Sequence, residues 1–167
     1  RYPFTLSWEG NDAYITKVTI EVQKDISEEQ PTETTIAKLL SDKKDVDEAN
    51  IKFTNAQVVY KDGNNYVIRE NQQAINLTST ALNLDLGATL NGTVKVKVAY
   101  NSGFMKATDI DGVTISDNLT ATGSTTEYLP ITTTLADLSN YKGDLVQLEK
   151  VSLTQIDGKY YFTSGSN

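Results

Sequence analysis

The large apolar residues of one segment change phase partway along it. Ile51 and Phe53 stand at odd positions, whereas Ala56, Val58 and Tyr60 stand at even ones. Side chains in a strand alternate strictly between two faces, so a change of parity without a turn requires one extra residue that has no opposite. The segment is therefore expected to be one long strand with a bulge or sharp bend near Asn55. A strand that turns its apolar side over midway can serve two parts of a curled sheet, which is how a small barrel closes. The same change recurs at Val146 and Leu148, then Val151 and Leu153. An equivalent bend is expected near Lys150.

Around these two switches the chain repeats itself. Thr35-Ile36-Ala37-Lys38-Leu39 parallels Thr134-Leu135-Ala136-Asp137-Leu138, and Asp62-Gly63 with Tyr66 parallels Asp157-Gly158 with Tyr161. Self-similarity of this kind reads as two copies of one unit, the second with a shorter connection after its helix. The second copy offers only its opening hairpin, so it is expected to be either a truncated second barrel or an elaboration of the first.

The remaining pattern supplies the other elements. Tyr2, Phe4, Leu6 and Trp8 alternate with small or polar residues, and Val18, Ile20 and Val22 alternate after a Glu9-Gly10-Asn11-Asp12 turn, giving a β-hairpin over residues 1–25. An acidic linker with Pro31 leads to a short helix, Ile36 to Leu40, capped by Thr34 or Thr35. Asp62-Gly63 marks a hairpin returning through Tyr66 to Ile68, and Ile75 and Leu77 mark a third strand. Leu82 to Leu86 reads equally as a helical turn or an extended link. Val94, Val96, Val98 and Tyr100 alternate with Lys95 and Lys97 in the clearest half-buried strand of the chain. Phe104 to Ile110 and Val113 to Ile115 complete a barrel over residues 34–118. Residues 119–134, rich in Thr, read as a linker, and residues 135–167 as the partial second repeat.

A helix, a long bent strand, a hairpin, a third strand, an irregular link and two final strands make the order of an all-β, five-stranded, Greek-key OB-like barrel. Three stretches sharpen it: Thr35-Ile36-Ala37-Lys38-Leu39-Leu40, Asp62-Gly63-Asn64-Asn65-Tyr66-Val67-Ile68, and Leu90-Asn91-Gly92-Thr93-Val94-Lys95-Val96 leading to Tyr100-Asn101-Ser102-Gly103. On these residues the barrel resembles the OB-fold-like domains of secreted or lipid-anchored surface proteins of Bacteroidetes. The resemblance implies tandem barrels, an extracytoplasmic location at the cell surface or in the periplasm, and a binding or spacer module rather than an enzyme.

Composition removes whole classes of chemistry. The chain has no Cys and no His, which excludes thiolate nucleophiles, disulfides, Ser-His-Asp relays and the commonest zinc ligands. No cofactor and no metal is expected. Asp109-Ile110-Asp111-Gly112 with Asp117 lacks the further oxygen positions and closing Glu of a calcium loop and reads as a turn. Lys and Arg total 15 against 22 Asp and Glu, for a net charge of −7, yet residues 50–120 carry six of each sign. A polyphosphate needs clustered cations, so nucleic acid is disfavoured as a partner. No stretch approaches the roughly 18 apolar residues of a membrane span.

Tyr60, Tyr66, Tyr100 and Phe104 fall on or beside strands that form the open face of ligand-binding OB-folds, where aromatic rings stack on bases or sugars. The alternative is that they pack in the core with hydroxyls reaching water. A non-catalytic module binding glycan or protein is the leading expectation. A single-strand nucleic-acid binder is one rival, opposed by the charge. A hydrolase using two carboxylates is another, with no motif placing them. Open sheet edges in residues 2–23 and 144–163 are expected to be covered, by each other or by strand pairing with a second chain.

Overall fold

The computed structural model describes residues 32–165, so the hairpin expected over residues 1–25 lies outside the described residues. A two-residue strand, β1 (Glu33–Thr34), precedes α1 (Ile36–Asp42). Thr35 starts the helix: its hydroxyl accepts a hydrogen bond from the Lys38 amide at 3.2 Å, satisfying one of the N–H groups that a helix start leaves unpaired. The helix buries Ile36 and Leu39 and stops at Lys43, whose left-handed backbone (φ +51°) returns its N–H to the Leu39 carbonyl at 3.1 Å.

Five strands follow: β2 (Val46–Asp62), β3 (Asn65–Glu70), β4 (Gln73–Thr78), β5 (Thr89–Asn101) and β6 (Phe104–Thr108). The first of them contains the expected bulge. Against β5, Thr54 stands opposite Asn91 and Ala56 opposite Leu90, so Asn55 has no opposite. Asn55 takes φ +55°, a conformation that Asn tolerates better than most L residues. Its N–H donates to the Asn91 side-chain oxygen at 2.9 Å. Ile51 and Phe53 before the bulge, and Ala56 and Val58 after it, are consequently all buried.

A second shift follows that the pattern does not reveal. Val58 stands opposite Ile68, but Tyr60 stands opposite Val67. The extra residue here is Val59, and Tyr60 leaves the inward row that Ala56 and Val58 began. Its parity in the sequence had placed it inside.

The strands close in the order β2-β3-β4-β6-β5 and back to β2. β5 returns beside β2 after three strands linked by hairpins, which is the Greek-key arrangement. β6 then inserts between β4 and β5, parallel to β4. The result is a mostly-β chain with a closed five-stranded barrel, consistent with an OB-like all-β fold. Phe53, Ile68, Ile75, Leu77, Val96 and Met105 are among the side chains that fill it, each at most 2% exposed. On the outer face of β5, Lys95 and Lys97 reach Glu48 at 3.2 Å and Asp47 at 2.9 Å.

Of the two readings open for residues 82–86, the helical turn is absent and an irregular link is present. Other sequence expectations are revised. Val113 to Ile115 is not a strand, although Ile115 is buried and its carbonyl accepts the Lys95 N–H at 2.6 Å. The Thr-rich stretch 119–134 is not a free linker. Within it, β7 (Thr120–Thr122) joins the edge of β5, and β8 (Ile131–Thr133) pairs with a later strand. Gly92 permits the first of these: a Cβ there would stand 2.9 Å from the Leu119 Cα, and φ is +122°.

The C-terminal segment continues with a 3-10 helix (Leu138–Tyr141), β9 (Val146–Leu148), β10 (Val151–Ile156) and β11 (Lys159–Ser164). β8 and β9 are parallel, as β1 and β2 are. Lys150, at φ +51°, makes the expected bend between β9 and β10. The β10–β11 hairpin pairs without interruption through a turn in which Asp157 and Gly158 both have positive φ, the type I′ pattern suited to strand twist. Leu153, Tyr160 and Phe162 on this hairpin are 62%, 67% and 59% exposed.

Candidate functional site

Residues directly opposite each other in a sheet share a face. On the outside of the barrel this places Asn65 with Thr78, Val67 with Asn76, and Arg69 with Ala74, while Lys106 stands beside Asn76. The three β3–β4 pairs run from the β2–β3 turn to the β3–β4 turn. The second bulge adds Tyr60 beside Val67. Without it, the tyrosine would point into the core.

The two ends of this face differ. Toward the β3–β4 turn it is covered by the chain itself. Val59, Val67 and Ala74 form a small cluster beneath Leu129 and Leu145. Beside it the Arg69 guanidinium grips Asp144, with Nε donating at 2.8 and 3.0 Å to the two carboxylate oxygens and an Nη donating at 2.6 Å. The same guanidinium donates to the Leu129 and Leu145 carbonyls, each at 3.0 Å. Asn76 marks the boundary, its amide donating to the Gly143 carbonyl at 2.7 Å.

Toward the β2–β3 turn the face is open and forms a groove of about 360 Å³. Tyr60, Asn65, Asn76, Thr78, Asn101, Phe104 and Lys106 contribute to its walls. The Thr78 hydroxyl donates to the Asn65 side-chain oxygen at 2.8 Å, and the Asn65 side-chain amide donates to the Asp62 backbone carbonyl at 3.3 Å. Lys106 is exposed and makes no ion pair among the described residues. Tyr60 and Phe104 are half-buried, each with ring surface left to offer.

The four aromatic candidates therefore separate. Tyr60 and Phe104 meet in the groove. Tyr66 reaches it only from below: its ring is 2% exposed and its hydroxyl donates to the Leu82 carbonyl at 3.0 Å. Tyr66 is a core residue, with no free ring face to stack on a ligand. Tyr100 lies on the other side of the β5–β6 turn, in a separate cleft with Gln72, Tyr141 and Lys142.

Sequence reasoning did not place Asn65, Asn76, Thr78, Asn101 or Lys106 in a binding site. The signal was present for Asn76 and Lys106, which lie between apolar residues inside strands already recognised. Asp109, weighed as part of a metal loop, instead accepts the Thr80 N–H at 2.8 Å and the Thr80 hydroxyl at 3.2 Å, fixing the exit from β4. Compared with family models, with curated proteins and with solved structures, the chain matches none.

Proposed function

We propose that the chain is a non-catalytic, extracytoplasmic binding module whose barrel takes a glycan in the groove between Tyr60 and Phe104. One observation carries the reading. The groove lies on the second and third barrel strands and is flanked by the β2–β3 and β5–β6 turns, the face and loops with which OB barrels bind oligonucleotides and oligosaccharides. Its chemistry favours the sugar. Primary amides and a hydroxyl donate and accept, as sugar hydroxyls do. Lys106 is the one cation in the lining, too little for a polyphosphate. No carboxylate lines the groove among the described residues, which supports binding over glycoside hydrolysis, a reaction needing two. The extracytoplasmic location rests on the resemblance to Bacteroidetes surface domains.

The duplication belongs to the same reading. In both halves a short parallel strand pair brackets a short helix, and a left-handed residue, Asn55 or Lys150, follows. A hairpin comes next in each. The second hairpin matches the first only up to its turn, because it lacks the bulge that Val59 adds. Residues 135–165 are on this view the opening of a second OB-like unit. Among the described residues β10 and β11 pair only with each other, and their outer edges are on this view surfaces for strand pairing with another chain.

Titration of the isotope-labelled chain with neutral oligosaccharides, followed by amide NMR, tests the site. Shifts are expected at Asn65, Asn101 and Lys106, and Phe104→Ala should weaken binding about tenfold, the size of one aromatic contact. Binding of single-stranded DNA at these amides with no response to any sugar would overturn it.

A further inference from the structure

We infer that a second cleft, formed where the Leu138–Tyr141 helix meets the barrel, binds an anionic sugar residue. It shares no lining residue with the groove and has a volume of about 330 Å³, at the low end for small-molecule sites. The inference does not depend on a ligand in the groove.

The walls come from distant parts of the chain. The barrel side provides Tyr100, the end of α1 at Lys43, and the β3–β4 turn with Gln72 and Gln73; the other side is Asn140, Tyr141 and Lys142. The two sides are clamped. Arg69 holds Asp144, Asn76 holds the Gly143 carbonyl, and the Lys142 ammonium donates to the Ser102 carbonyl at 3.2 Å. On the barrel side, Asp45 accepts the Tyr100 N–H at 2.8 Å. Gly143 lies so close to the barrel that a Cβ on it would stand 2.6 Å from the Phe104 Cβ. The cleft is therefore preformed.

Its charge is positive although the chain is acidic. Asp144 reaches the lining, but its side chain is 2% exposed and its oxygens are taken by Arg69 and by the Leu145 N–H. Lys43 and Lys142 face no other carboxylate in the lining, and neither forms an ion pair among the described residues. Two ammonium groups suit a carboxylate or a sulfate. The amides of Gln72, Gln73 and Asn140 both donate and accept, as sugar hydroxyls require. Tyr100 and Tyr141 are half-buried and offer ring surface to the apolar side of a pyranose.

Calorimetric titration of the full chain with glucuronate, glucose 6-sulfate and glucose tests this. At least one anionic sugar should bind about tenfold or more tightly than glucose, the size of one charge-assisted hydrogen bond, with a preference that shrinks as salt is raised. The tighter anion identifies the acid group. Lys43→Asn, which keeps a residue tolerant of positive φ, and Lys142→Gln, which keeps a donor for Ser102, should each remove most of that preference. Tyr60→Ala in the groove should leave the affinity for the anionic sugar intact, so a failed groove and a failed cleft are told apart. Glucose binding as tightly as both anions would overturn the inference. So would two charge variants that fold normally, by circular dichroism, and bind the anion as tightly as the parent.

Discussion

Asp144→Asn is the substitution that most directly tests how the C-terminal segment is held to the barrel. Asn is nearly the same shape as Asp but has no charge. The Arg69 side chain, 15% exposed, would be left largely dry and without its counter-ion. Losing one partner of a buried ion pair costs about 3–5 kcal/mol. Here two carbonyls still accept from the guanidinium at 3.0 Å and some water reaches it, so about 2–3 kcal/mol is expected. The loss should fall on the docking of residues 129–149, not on the barrel. Native-state hydrogen exchange separates the two. The Ile131 N–H to Leu145 and the Glu149 N–H to Thr133 bonds, at 3.0 and 2.9 Å, report on the segment. The Val58 N–H to Ala88 bond at 2.9 Å reports on the barrel. Exchange at Ile131 and Glu149 should accelerate about 30- to 150-fold while Val58 is unchanged. The double variant Arg69→Met with Asp144→Leu should recover most of the protection, because well-packed apolar groups often replace a buried pair without loss. Parental exchange at Ile131 and Glu149 in Asp144→Asn would refute the reasoning.

Four further outcomes are expected. Asn55→Val should destabilise the barrel by about 2 kcal/mol, because a β-branched residue resists positive φ, whereas Asn55→Gly should change it little; thermal unfolding should separate the two by roughly 4–8 °C. Gly92→Ala should loosen β7 from β5 through contact with the Leu119 backbone, seen as faster exchange of the Thr93 N–H that Asn118 accepts at 2.9 Å. Burial pushes the Asp109 carboxyl upward, but hydrogen bonds from Ser79, Thr80 and Ala81 together hold it below the ordinary 3.8. Its lowered folded value means that its contribution is complete above about pH 4 and lost as pH falls through that value, so acid unfolding of Asp109→Asn should lose this component. Phe162→Ser should reduce concentration-dependent association in sedimentation experiments, since Phe162 and Leu153 are opposite each other on an uncovered face.

What the sequence showed and what it hid have a common physical cause. Asn55 and Lys150 were legible because a period of two is strict, so one extra residue leaves a visible change of parity. The bulge at Val59 was not, because Val58, Val59 and Tyr60 are all large and apolar, and a run without alternation conceals a slip. That slip decides the site, since it moves Tyr60 from the core to the groove. The Thr-rich stretch 119–134 was read as a linker because strands of three residues are too short to show a period. What docks the chain beyond it is Arg69 meeting Asp144, 75 positions away, and such a pair leaves no local trace. Tyr60, Tyr100 and Phe104 carried two readings in the sequence, open face or core; all three are half-buried, and the β5–β6 turn divides them between two depressions.

Two contacts run between the depressions. Asn76 lines the groove, and its amide holds Gly143, whose neighbours Lys142 and Asp144 line the cleft. Phe104 is the second bridge, because it walls the groove and lies against Gly143. Asn76 and Phe104 are thus the contacts through which a change in one depression would reach the other. Two sites joined by an amide hydrogen bond and one ring contact have a route for mutual influence, and by linkage any effect on affinity is equal in both directions. Asn76→Ala removes the hydrogen bond and keeps the ring contact. If the short route carries the coupling, anion affinity in the cleft should then depend less on whether the groove is filled.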